Sequence, residues 1–226
     1  MGRGFPPERP RDGGGTHEPD SGGTAIRLEA LDQDRGATVA LPGIGEVEVL
    51  ISAERIAARV RELGAQISLD YEGKNPLLVS ILKGGIVFLS DLMRAVTAAH
   101  EIDFLAVSSY GSGTRSSGRV RLLHDLSSEV RGRDVLLVED VVDTGRTLRY
   151  LLDYVELRQP ASLRVCALLA KSIDLVPAVQ PDLIGFQIPN RFVIGYGMDL
   201  AGQYRHLPYV AALGPEWPVA FAASGS

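Results

Sequence analysis

Three carboxylates fall within five residues at the end of an apolar run, in the stretch VLLVEDVVDTGRTL at 135–148. Glu139 and Asp140 are adjacent, and Asp143 opens the small polar turn Thr144-Gly145-Arg146-Thr147. Like charges this close repel one another, so they call for something to hold, either a cation or a set of hydroxyl donors. The turn leads straight into an apolar-periodic segment, which leaves its backbone N–H groups unpaired at the positive end of a helix. Gly145 allows close backbone approach and the threonine hydroxyls add donors; together these describe a phosphate site, and so short a turn suits one phosphate. The G-x-x-x-x-G-K-[ST] loop that wraps the β and γ phosphates of a nucleotide does not occur. A solvated strand end would also show acids and a Thr-Gly turn, but the apolar strand and the adjacent acid pair favour a ligand site.

The elements that must position these groups are legible from periodicity. Ser52 can cap a helix in which Ile56, Val60, Leu63 and Ile67 recur at helical spacing, ending near Tyr71. PLLVSIL (76–82) is a short apolar run that stops at Lys83-Gly84-Gly85, and Ile86, Leu89, Leu92 or Met93, and Val96 form a second helical stripe. IDFLAVSSY (102–110) predicts a strand running into the polar segment GSGTRSSGRV, a candidate mobile flap, with VRLLHDL pairing back. After the strand at 135–140, Leu148, Leu151, Leu152 and Val155 share a helix face that ends before Pro160, and LRVCALLA (163–170) and DLIGFQI (182–188) are further strands. Apolar strands alternating with amphipathic helices predict an α/β fold, a central parallel sheet flanked by helices. In such sheets ligands gather at the carboxyl ends of the strands, where the polar clusters after 82, after 138 and near 171 all fall.

Composition narrows the function classes. The chain has 226 residues, 45% of them hydrophobic, enough for one well-buried core. A net charge of −5 disfavours a nucleic-acid partner, which requires a basic surface. Cys166 is the single cysteine, so no intramolecular disulfide or multi-thiolate zinc site can form, and a reducing, cytoplasmic location is expected. No apolar run is long enough to span a membrane, and the opening MGRGFPPERPRDGGG lacks a signal-peptide core, so neither secretion nor membrane insertion is expected. His17, His100, His124 and His206 show no ligand spacing, and Cys166, inside an apolar strand, reads as an inert core thiol.

The stretch 135–148 resembles the signature of the type I phosphoribosyltransferases, in which apolar residues lead into paired acids and then D-T-G/A-x-T. Further motifs, L-K-G-G at 82–85, S-S-Y-G-S at 108–112 and R-F-V-I-G-Y-G-M-D at 191–199, resemble the hypoxanthine-guanine phosphoribosyltransferases. The resemblance covers about residues 46–215. It implies a type I phosphoribosyltransferase fold with a small hood subdomain, built largely from about 171–205, and a mobile flap carrying Ser109 and Tyr110. A disordered tail is expected at 1–24, an N-terminal extension or arm at 25–45, and a C-terminal tail at 216–226.

The same resemblance implies a purine-salvage reaction in which phosphoribosyl pyrophosphate and hypoxanthine or guanine give IMP or GMP and pyrophosphate, with Mg²⁺. By it, Asp143 to Thr147 (Asp143, Thr144, Gly145, Arg146, Thr147) bind the 5-phosphate, Glu139 and Asp140 the ribose hydroxyls, and Lys83, Gly84 and Arg205 the pyrophosphate. The Leu82–Lys83 peptide is expected to be cis. Asp199, with Glu139 and Asp140, is the expected metal site. Lys171 would donate to a 6-oxo group and so select hypoxanthine or guanine over adenine, with Phe192 stacking on the base and the Val193 backbone bonding its edge. Asp143 is the expected general acid/base at the purine N7. A homo-oligomer, dimer or tetramer, is implied. Many bacterial relatives carry an acid where this chain has Ala170, so a charge partner for Lys171 is missing at that position. Xanthine as substrate, or a regulator that keeps the sugar-phosphate site without catalysis, are the alternatives; the regulator would lack Asp143, Lys83 or Asp199, and all three are present.

Overall fold

The computed structural model describes residues 37–109, 120–172 and 179–214. The tails expected at 1–24 and 216–226, most of the flap, and Tyr110 lie outside the described residues.

Ser52 sets the first boundary. Its side chain accepts from the Arg55 N–H and caps α1 (Ala53–Asp70), and Ile56, Val60, Leu63 and Ile67 bury the expected stripe. Six strands form the large sheet: β3 (Leu77–Leu82), β4 (Glu101–Ser109), β5 (Val120–His124), β6 (Asp134–Val142), β7 (Ser162–Lys171) and β8 (Leu183–Ile188). Their order is β5-β4-β3-β6-β7-β8, parallel throughout except for β5, which pairs back antiparallel on β4. Helices cover both faces. Alternation along β6 sends Leu136 and Val138 toward α1 and α2 (Ile86–Ala95), and Val135 and Leu137 toward α3 (Arg146–Glu156).

One expected core position turns outward. Ile86 is 46% exposed, and Phe88 joins Leu89 and Leu92 inside. At 3.6 residues per turn the centre of that buried stripe lies about 110° round the helix from Ile86, beyond the edge of the covered face.

A second, antiparallel sheet has the order β1-β2-β10-β9, from β1 (Thr38–Leu41), β2 (Gly45–Ile51), β9 (Val193–Ile194) and β10 (Val210–Ala212). One of its faces packs its own small cluster of Ile44, Val47, Ile194, Leu200, Leu207, Ala211 and Leu213. The other sends Ile51, Val193, Val210 and Ala212 into the core shared with α1 and α2. This sheet therefore draws on 38–51 and 193–212, while residues 183–188 of the segment expected to supply the hood belong to the large sheet.

The two helices on the shared core cross very closely at Gly64. A methyl group there would stand 2.5 Å from Ala95 Cβ and 2.8 Å from the Ala95 carbonyl oxygen. Backbone has to move to relieve such a contact, so overpacking outweighs the roughly 1 kcal/mol by which alanine is the better helix former. Gly64→Ala is expected to lose about 1–2 kcal/mol of stability in denaturant unfolding; a gain would show that α1 and α2 separate freely.

Candidate active site

The site grows from three strand ends. β3 and β6 lie side by side, Ser80 in register with Val138, and β3 runs into the Lys83–Gly85 loop through a cis Leu82–Lys83 peptide. This loop sits directly on Asp140: a methyl group on Gly84 would lie 1.9 Å from the Asp140 Oδ2. From the other side comes the turn at Gly197, whose φ of +99° already demands glycine, and where an added Cβ would stand 2.2 Å from the Gly84 carbonyl oxygen. Asp140, Gly84 and Gly197 thus form a three-layer contact between the large sheet, its first loop and the turn after β9. Tyr196 holds that turn in place by donating its hydroxyl to Asp91 Oδ2 of α2 at 2.6 Å.

Burial dominates the electrostatics beneath this contact. Asp140 is only 9% exposed, and desolvation pushes its carboxyl up to about 6 even though its own N–H, that of Val141 and the Arg205 cation pull it down. Glu139 is raised well above the ordinary carboxylate range by burial and then by the neighbouring Asp140 charge. Its Oε2 is buried with no hydrogen-bond partner. Such an orphaned acceptor points to a donor or cation that the protein alone does not supply.

Beyond the acids, Glu139, Asp143, Thr144, Gly145, Arg146 and Thr147 line a small pocket of about 120 Å³. Gly145, with φ +79°, is the N-cap of α3, and no side chain caps the helix there. The first-turn N–H groups therefore face the pocket without a side-chain acceptor, as an anion site requires.

The third strand end brings in Lys171. Val142 of β6 is in register with Ala170 of β7, so Asp143 and Lys171 follow in adjacent strands and their side chains meet, Nζ to Oδ2, at 2.8 Å. The lysine is 11% exposed and the aspartate 53%. Sequence reasoning found both residues but not their pairing. Asp143 supplies the charge partner that is missing at Ala170, and the signal was two adjacent strands running to polar ends of matching register.

Asp199 and Arg205 form a second ion pair beside the Gly197 turn, in which Gly202 N–H donates to Asp199 Oδ2 at 2.6 Å and Arg205 Nη1 donates to the Gly197 carbonyl at 2.6 Å. Lys83 stands exposed on its loop. Phe192, just ahead of β9, is 40% exposed, while Val193 is buried in the strand, and Ser109 ends β4 two strands away from β6. Among the described residues, neither Phe192 nor Val193 shares a side-chain hydrogen bond with the other clusters. Also among them, no group of three or more His, Cys, Asp or Glu side chains could hold a metal on protein ligands alone, and no helix is long and apolar enough to cross a membrane.

The chain matches the phosphoribosyl transferase domain family over residues 47–200. It is 47% identical over 169 residues to the bifunctional protein TilS/HprT of Listeria innocua, a match that covers 75% of this chain and 26% of that longer protein. Against the hypoxanthine-guanine phosphoribosyltransferase of Streptococcus mutans it is 46% identical over 166 residues, covering 74% of this chain and 92% of the relative. The crystal structure of a hypoxanthine phosphoribosyltransferase from Staphylococcus aureus superposes with a TM-score of 0.71 at 41% identity, over 75% of this chain and 92% of that one. With these matches added to a site of this geometry, the chain belongs to the phosphoribosyltransferase family, among the hypoxanthine-guanine phosphoribosyltransferases.

Proposed function

We propose that the protein transfers the 5-phosphoribosyl group of phosphoribosyl pyrophosphate to N9 of hypoxanthine or guanine, giving IMP or GMP and releasing pyrophosphate. The observation that carries this reading is the grouping of polar residues at the carboxyl ends of neighbouring strands. The N-terminus of α3, without a side-chain cap, opens on a pocket that Glu139 lines, Asp140 is buried next to Glu139 in β6, and Asp143 pairs with the ammonium of Lys171.

In this reading the loop from Asp143 to Thr147 cradles the 5-phosphate, and Glu139 and Asp140 accept from the ribose hydroxyls. Departure of pyrophosphate builds positive charge at the sugar C1, which carboxylates held in a dry site stabilise. Lys83, the Gly84 backbone and Arg205 hold the leaving pyrophosphate. The donor set also fits Mg²⁺, a hard cation that takes few protein carboxylates and completes its shell from phosphate oxygens and water. Because Glu139, Asp140 and Asp199 do not converge as one three-carboxylate cage, each would reach it singly or through water and the sugar hydroxyls, and when bound it supplies neutralising charge for the leaving group. Lys171 donates to the 6-oxo group, Phe192 stacks on the ring and the Val193 backbone bonds its edge. Asp143 takes or shares the N7 proton as N9 attacks. By the resemblance, Ser109 and Tyr110 would belong to a flap that closes to exclude water; Tyr110 lies outside the described residues. A cytoplasmic homo-oligomer, dimer or tetramer, completes the proposal.

Steady-state turnover with hypoxanthine, guanine, xanthine and adenine, each with phosphoribosyl pyrophosphate and Mg²⁺, tests the reaction. Product is expected from the first two and not from adenine; no product from any base would leave only a binding role. Asp143→Asn is expected to keep phosphoribosyl pyrophosphate binding and slow turnover by roughly 10²-fold or more. Unchanged turnover would remove the acid/base role.

The raised carboxyl of Asp140 has a stability signature as well. Between its ordinary 3.8 and about 6 the folded protein binds more protons than the unfolded chain, so stability falls as pH rises through that window, and the cost of the buried charge is complete above it. Asp140→Asn is therefore expected to stabilise the unliganded protein by roughly 1–3 kcal/mol at pH 7.5 and to lose this advantage below pH ~4. A variant less stable than the parent at pH 7.5 would contradict the buried-charge account.

A further inference from the structure

We propose that Arg191 is a positioning residue for the purine platform, acting through Phe192; the inference rests on the reading of Phe192 as the residue that stacks on the base. With its ring 40% exposed, Phe192 is fixed less by packing than by its backbone. That backbone is tied to the end of the neighbouring strand β10: the Phe192 carbonyl accepts from the Leu213 N–H at 2.9 Å, and Val193 is in register with Ala212. Ala212 is in turn in register with Glu48 of β2, so three strands share one row. Arg191 reaches across that row. One guanidinium nitrogen pairs with Glu48 Oε2, and the other donates to the Leu213 carbonyl at 3.3 Å.

The same residue, Leu213, thus receives the Arg191 guanidinium on its carbonyl and gives its N–H to Phe192. Glu48 anchors the arrangement from the opposite end of the chain. The planar fork of arginine can serve two partners in different directions, which a lysine ammonium on a flexible stem does less well. Both side chains of the ion pair are about one-third exposed, at 32% and 33%, so the pair contributes little to global stability. Its effect is local: it sets the angle at which β9 presents Phe192. Loss of the tie leaves the phosphate loop and the acids of β6 in place, because they are mounted on the large sheet and the Gly197 turn beside them is held separately by Tyr196 on Asp91.

The test compares the full chain with Arg191→Ala, Arg191→Lys, Glu48→Gln, the Arg191→Ala/Glu48→Gln double variant and Phe192→Ala, measuring kcat, both KM values and the unfolding midpoint. Arg191→Ala is expected to raise KM for hypoxanthine about three- to tenfold while KM for phosphoribosyl pyrophosphate stays within about twofold. The unfolding midpoint should move by no more than about 2 °C. Arg191→Lys should recover part of the loss, and the double variant should be no worse than Arg191→Ala alone, since both changes break one tie. A parallel rise in both KM values, or an unchanged KM for hypoxanthine, overturns the proposal. If Phe192→Ala itself leaves KM for hypoxanthine unchanged, the platform reading of Phe192 falls and the role of Arg191 falls with it. A Phe192 effect without an Arg191 effect isolates the failure to Arg191.

Discussion

The depth at which Glu139 and Asp140 are buried governs the rest of the structure. Two adjacent carboxylates at the end of a strand would normally turn to water, and here the Lys83–Gly85 loop, backed by the Gly197 turn, lies on Asp140, while Glu139 is buried at the edge of the pocket formed by the 143–147 turn. That closure is possible only because Gly84 and Gly197 carry no side chains, so that the Gly84 backbone meets the Asp140 carboxylate and the Gly197 backbone meets Gly84. The result is a pair of acids whose charge is unfavourable in the protein alone and, in the proposed function, becomes favourable once hydroxyl donors or a cation arrive. Stability is given up at the point where binding is required, a common trade at functional sites.

Around this buried pair two further acids are each coupled to a cation. Lys171 meets Asp143 across β6 and β7, and Arg205 meets Asp199 beside the Gly197 turn. Each cation is held in a defined direction by its partner and by a rigid mount, the large sheet for the first and the small sheet with its turn for the second. A ligand that enters exchanges partners instead of meeting bare charges, so its gain depends on geometry more than on the number of charged residues nearby. Positioning therefore matters at residues that touch no ligand, such as Tyr196 on Asp91.

What the sequence made legible was local. The apolar run into β6, the Ser52 cap and the D-T-G-R-T turn onto α3 each depend on neighbours within a few residues, and each lies where periodicity and cap chemistry put it. Cys166, read as an inert core thiol, is fully buried with its thiol pushed up to about 12. The Lys171–Asp143 pair escaped because 28 residues separate its members and only the register of two strands unites them. The small sheet was harder still. β1, β9 and β10 have four, two and three residues, too few for a period to show, and they gain their definition from pairing across the whole chain. Ile86 marks the opposite limit, an apolar residue at nearly the right spacing that the packing of Phe88 leaves outside.

The pairing of β2 with β10 also fixes an order of events. Ile51 is in register with Val210, so β2 finds this partner only after every strand of the large sheet has emerged. Every strand of the large sheet lies between those two in sequence and can assemble through shorter loops, which close at lower entropic cost. Until then Val47, Val49 and Ile51 have one sheet edge unsatisfied. The small sheet, and with it the turn that backs the loop on Asp140, thus depends on later chain than any element of the large sheet. A nascent or truncated chain that has formed every large-sheet element still lacks the Gly197 turn that backs the Lys83–Gly85 loop against Asp140, and the polypeptide between β2 and β10 becomes a timer for when the crevice is complete.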